Sequence, residues 1–97
     1  MHGEFKVPRG KLVVVDLDID ETSRLTDVRL SGDFFLYPEE AMTSIVGALD
    51  GAPAGLPAHE YTLRVAEAVP PGTELFGFSP AAIAIAVTRA QEANADA

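Results

Sequence analysis

Few residues in this chain are of a type to do chemistry, and their spacing is poor for it. Asp16, Asp18 and Asp20 alternate with Leu17 and Ile19. That order opens a calcium loop, in which oxygen ligands at alternate positions wrap a hard cation. Such a loop needs glycine at its sixth position and a bidentate glutamate at its twelfth. Here those positions hold Glu21 and Asp27. Leu17 and Ile19 read better as the buried half of a strand, which makes the aspartates its solvated face. His2 and His59 are the only histidines, and isolated histidines make neither a zinc site nor a base paired with a nucleophile. Both read as surface residues. Ser23, Ser31, Ser44 and Ser79 have no G-x-S-x-G context. No glycine-rich phosphate loop or dinucleotide fingerprint occurs. The absence of cysteine removes thiolate nucleophiles, disulfides, Cys-ligated zinc and iron–sulfur chemistry together. The residues therefore predict no catalytic site and no metal site.

What remains is charge and its placement. The formal net charge is -8, which argues against nucleic acid, because phosphate binding needs clustered Lys and Arg. The charge is uneven. Residues 1–11 set Glu4 against Lys6, Arg9 and Lys11, a local +2, and leave -10 for the rest. Both lysines of the chain lie in this segment. Two readings stand side by side: a solvated arm that keeps an edge strand soluble, or a short arm that meets an anionic group or an acidic partner face, with Gly10 allowing close backbone approach.

The elements that must position these groups follow from periodicity. Val13, Val15, Leu17 and Ile19 alternate with Val14, Asp16, Asp18 and Asp20, predicting a strand from Lys11 to Ile19 with one buried face. Asp20–Ser23 is a polar turn. Leu25–Ser31 follows as the second strand of a hairpin, with Thr26, Val28 and Leu30 on one face and Asp27 and Arg29 on the other. Gly32 and Asp33 break it, and Phe34–Tyr37 reads as a third strand completing a meander. Neighbouring strand residues point to opposite faces, so Phe34 and Phe35 must bury on two surfaces or leave one ring exposed. Gly32, Asp33, Phe34, Phe35 and Tyr37 are accordingly the candidate partner interface. Alternation groups Phe34 with Leu36, and Phe35 with Tyr37.

Pro38, Glu39 and Glu40 suit the first turn of a helix closed by Gly51, with Met42, Ile45, Val46 and Leu49 on one face. A second helix spans about 57–69, with Tyr61, Val65 and Ala68 inward. Leu75, Phe76 and Phe78 read as a buried linker. Ser79-Pro80 starts a third helix with Ile83, Ala86, Val87 and Ala90 inward, and 94–97 read as a frayed end. With 97 residues and 47% hydrophobic residues, the expectation is one α+β domain over 1–97. In it, a small three-stranded antiparallel sheet carries about three helices on one face. No apolar run approaches the roughly 20 residues of a membrane span, and no secretory h-region is present. A cytoplasmic protein is expected.

The run GDFFLYPEE (32–40), preceded by the hairpin and by Lys6-Val7-Pro8-Arg9-Gly10-Lys11-Leu12, resembles the accessory, C-terminal domain of lipoate–protein ligases. In that family a K-V-P-G-G-K-L-like run enters the first strand; Arg9 stands where a glycine is usual. The Gly77-Phe78-Ser79-Pro80 helix start is similar too, and the resemblance covers nearly the whole chain. It implies an accessory subunit, silent alone, that joins a separate catalytic subunit in a heterodimer. That subunit holds the ATP, magnesium and lipoate sites and modifies lipoyl-domain proteins through lipoyl-AMP. The resemblance makes Lys6, Arg9, Gly10 and Lys11 candidates for assisting adenylation, since cations stabilise charge developing on phosphoryl oxygens. The alternative is a protein-binding module of the same fold with another partner. Scaffold proteins of sulfur and iron–sulfur assembly share the fold, but their role requires the cysteines this chain lacks.

Overall fold

Val13, Val15 and Leu17 are buried, while Val14, Asp16 and Asp18 alternate with them on the opposite face. The period-two pattern thus builds β2 (Leu12–Ile19) as expected. In this computed structural model, which describes residues 1–95, β2 is the middle of a three-stranded antiparallel sheet. It lies between β1 (His2–Lys6) and β3 (Leu25–Gly32). The expected basic arm is therefore a strand and a turn. His2, Glu4 and Lys6 face outward while Gly3 and Phe5 turn inward. Its inward face holds a glycine and a single large apolar residue, Phe5, which hid that short alternation in the sequence.

The expected face assignment along β3 fails at one point. Arg29 lies opposite Asp16 and Thr26 opposite Asp18, so Asp27 and Val28 together face the single residue Leu17. This is a β-bulge, with Asp27 in the left-handed region at φ 54°. The extra residue resets the alternation. Leu25 and Val28, three positions apart, are both buried, and Thr26 leaves the Val28 face.

β4 (Phe35–Tyr37) does not extend the meander. It pairs instead with β5 (Glu74–Phe76), a separate two-stranded antiparallel ribbon made from the segment read as a linker. The main ladder stops because Gly32 takes φ 145° and the Asp33 carboxylate accepts the Leu12 N–H at 2.8 Å. A side chain thereby occupies the donor that a continuing strand would have used.

The helices follow the expected order. α1 (Ala41–Leu49) starts three residues later than Pro38, after a turn in which Ala41 N–H donates to Pro38 O, and it buries Ala41, Ile45 and Leu49. α2 (Ala58–Ala68) buries Tyr61 and Val65. α3 (Pro80–Ala95) opens with the Ser79 hydroxyl accepting from Ala82 N–H at 3.2 Å, the cap its sequence dictates. Of the end expected to fray, Asn94 and Ala95 are helical and 96–97 lie outside the described residues. α3 lies across β1 and β2 with α2 alongside it, and α1 bridges α2 and β3. Ala82, Ile83, Ala84, Ala86, Val87 and Ala90 are buried on one broad face of α3, and Ala81, Arg89 and Glu92 are exposed on the opposite stripe. A Cβ on Gly3 would strike the Ala86 carbonyl and the Ala90 backbone; the glycine is what lets helix and strand approach so closely.

Candidate functional site

The site is built where three distant segments converge. Phe34 turns inward and stacks on Phe78, with ring centroids 4.1 Å apart, and is 9% exposed. Phe35 and Tyr37, on the alternate face, are each 69% exposed. In the β4–β5 register Phe35 lies opposite Phe76, Leu36 opposite Leu75 and Tyr37 opposite Glu74. Directly opposed residues share a face, so Phe35, Phe76, Tyr37 and Glu74 form the outer face of the ribbon. Leu36 and Leu75 pack beneath it against the core. Phe76 is 48% exposed, contrary to the buried linker expected there. Sequence reading missed it, although Glu74 and Phe76, two apart in a short run, carried the signal of a shared strand face.

The Val7–Lys11 turn abuts the end of this ribbon. Gly10 N–H donates to Val7 O at 2.8 Å, Val7 N–H to Lys11 O at 3.1 Å, and Lys11 N–H to Gly77 O at 2.8 Å. A Cβ on Gly10 would sit 2.7 Å from Gly77 O, and one on Gly77 would strike the Lys11 side chain. Turn and ribbon are thus held together through two glycines. Arg9 adopts φ 62°, a conformation costly for any residue but glycine. Lys6 is committed locally, its ammonium donating to Gly10 O at 2.6 Å and Val7 O at 3.2 Å. Among the described residues, Lys6, Arg9 and Lys11 form no ion pair. Asp33 is already bonded to the Leu12 N–H. Of the residues singled out in the sequence, Phe35, Tyr37, Lys6, Arg9 and Lys11 are exposed on one end of the molecule. Gly10, Gly32 and Asp33 shape its backbone, and Phe34 belongs to the core.

The remaining titratable groups lie elsewhere. His2 bridges two carboxylates on the outer sheet face, Nε2 to Glu4 at 2.7 Å and Nδ1 to Asp16 at 2.8 Å. The hydrogen bond to Glu4, then that to Asp16, raises its pKa above the usual histidine value. No serine, threonine or other nucleophile is bonded to it. Asp20 is consumed by its turn. It accepts from the Thr22 hydroxyl at 2.7 Å, Thr22 N–H at 2.8 Å and Arg24 N–H at 3.1 Å, and these bonds, the Thr22 hydroxyl first, hold its carboxyl below the usual range. Among the described residues no group of three or more His, Asp or Glu side chains is placed to hold a metal ion. No helix among them is long and apolar enough to cross a membrane.

The class defined by these features is an α+β domain that presents an aromatic ribbon and a basic turn at one end. No family model matches the chain. It is similar to lipoate-protein ligase A subunit 2 of Thermoplasma acidophilum, 38% identical over 48 residues, which make up 50% of this chain and 49% of that protein. The chain thus aligns with about half the length of this curated relative. Its fold is shared with a chain in the structure of a bipartite lipoate protein ligase and its E2 lipoyl domain from the same organism. There the TM-score is 0.67 at 24% identity, covering 90% of this chain and 97% of that one. In sequence the chain therefore resembles lipoate-protein ligase A subunit 2, a member of the family that GDFFLYPEE points to, and in fold it resembles a chain of the bipartite ligase structure.

Proposed function

We propose that this chain is the non-catalytic accessory subunit of a two-component lipoate–protein ligase, required with the catalytic subunit for lipoate adenylation before transfer to lipoyl domains. The observation that carries this reading is the similarity to ligase subunit 2, at 38% identity over half the chain. ATP, magnesium and lipoate bind the catalytic subunit, and the setting is a cytoplasmic heterodimer. This chain adds a shaped surface and positive charge, not a nucleophile or base. Lys11 is the cation best placed to assist adenylation: the Gly77 carbonyl fixes its backbone, and no ion pair among the described residues neutralises it.

The test is an adenylation assay. The pure chain with ATP, lipoate and a lipoyl domain should form no lipoyl-AMP, and the catalytic subunit should form it only once this chain is added. Adenylation by the catalytic subunit at full rate without it refutes the reading. At matched occupancy of the complex, Lys11→Met should slow lipoyl-AMP formation and leave transfer from preformed lipoyl-AMP unchanged. An unchanged first step would remove Lys11 from the account.

A further inference from the structure

We propose that the outer face of the β4–β5 ribbon, formed by Phe35, Tyr37 and Phe76 with Glu74 at the Tyr37 end, is where the catalytic subunit docks, through an apolar patch bordered by carboxylates on the side facing the Val7–Lys11 turn. The inference rests on the accessory-subunit reading and adds the surface and the chemistry of its partner.

Three aromatic side chains stand side by side, exposed by 69%, 69% and 48%, on strands of three residues each. Such a ribbon is marginal in water and gains from being covered. Its inner side is already used, by Leu36 and Leu75 against the core and by the Phe34–Phe78 stack beside them. The outer face has no such cover. Rigid aromatic rings are the usual anchors of a protein interface, because they bury a large area at little cost in side-chain entropy.

Charge selects the occupant. Lys11 and Arg9 lie on the turn that abuts this ribbon, and Lys6, the other lysine of a chain of net charge -8, ends β1 with its ammonium bonded to that turn's Val7 and Gly10 carbonyls. Three cations with no ion pair among the described residues, gathered beside an apolar face, fit a partner surface with carboxylates at the matching edge. A second copy of this chain fits poorly, since each copy brings another -8.

The test measures binding of the source organism's lipoate–protein ligase catalytic subunit by titration calorimetry. It compares wild type, Phe35→Ser, Phe76→Ser, Tyr37→Ser and Lys11→Met with Leu63→Ser, an exposed apolar residue on α2. Thermal midpoints confirm that each variant is folded. The expected result is that the Phe35 and Phe76 variants weaken binding by about tenfold or more, Tyr37→Ser weakens it, and Leu63→Ser leaves it unchanged. Wild-type affinity should fall with added salt, and less steeply for Lys11→Met. If wild type binds and the Phe35 and Phe76 variants bind equally well, the docking face is overturned while the accessory reading stands. A salt slope unaltered in Lys11→Met overturns the acidic border. If the wild-type chain neither binds the catalytic subunit nor raises its adenylation, both readings fall. Self-association of the wild type that the ribbon variants abolish makes a second copy the occupant and overturns the proposal.

Discussion

At Gly3, Phe34 and His2 single residues decide packing or pH response. A Cβ on Gly3 meets backbone atoms of Ala86 and Ala90 rather than a movable side chain, so α3 itself must shift. Gly3→Ala should cost about 1–3 kcal/mol, the usual range for overpacking a close contact, read as a lowered denaturant midpoint with unchanged slope. A variant as stable as wild type would show that the strand–helix contact is slack. The two adjacent phenylalanines should separate cleanly. Phe34→Ala empties a stacked core position and should cost about 3–5 kcal/mol, whereas Phe35→Ala, at a side chain 69% exposed, should leave the unfolding midpoint nearly unchanged. Equal losses would mean that the outer ring supports the fold. His2 gives a pH effect of known sign. Its pKa is raised in the folded state by Glu4 first and Asp16 second, so its contribution is full below the unfolded histidine pKa and fades as pH rises through the folded one. The stability gap between wild type and His2→Gln should be larger at acid pH, with carboxylates still ionised, than at alkaline pH. A gap independent of pH, or one that widens with rising pH, would contradict it.

The element that shapes the site most is the ribbon, and the bulge in β3 governs how the sheet reaches it. Asp27 holds φ 54° and is exposed, a conformation that glycine adopts freely and a β-branched residue does not. Asp27→Gly should therefore be tolerated within about 1 kcal/mol, and Asp27→Val should destabilise by about 1–3 kcal/mol. Chemical denaturation of the two variants checks this, and the reverse order would mean that the Asp27 side chain, not the backbone, matters there. The bulge lets Leu25 and Val28 both face the core while β3 continues to Gly32. At that end Gly32 and Asp33 stop the ladder and deliver β4 to β5. The turn on the other side is fixed in the same region by the bond from Lys11 N–H to Gly77 O. Two short elements, neither stable alone, are thereby held beside each other.

For the molecule as a whole the dominant electrostatic fact is repulsion. Fifteen acidic residues face seven Lys and Arg. Apart from pairs involving histidine, the ion pairs among the described residues are Arg29 with Asp27 and the N-terminal ammonium with Asp18. Screening should therefore stabilise the fold. Raising NaCl from about 20 to about 300 mM shortens the screening length several-fold, and the thermal midpoint at neutral pH should rise by a few degrees. A falling midpoint would mean that attractive pairs outweigh the net charge. The same screening should weaken the proposed docking, where the basic turn acts against the charge of the rest of the chain.

Local patterns by themselves determined much of this protein. Alternation marked β2 and its buried face, i,i+3,i+4 spacing marked the helix faces carrying Ile45, Tyr61 and Ile83, and Ser79-Pro80 marked the start of α3, because each signal lies within one element and depends on nearest neighbours. The adjacent phenylalanines announced two surfaces for the same reason. Tertiary structure alone decided the rest. Whether Phe34 or Phe35 is buried depends on Phe78, far along the chain. The strand at His2–Lys6 needs β2 to pair with, and its inward residues are Gly3 and Phe5 alone, so no hydrophobic period announces it. The bulge at Asp27 appears only when two strands are set in register. The meeting of Lys11 with Gly77, and of Phe35 with Phe76, is a product of long-range pairing between residues that share no local pattern. The residues of the candidate site were therefore visible one at a time, but their assembly into a single surface came from the fold.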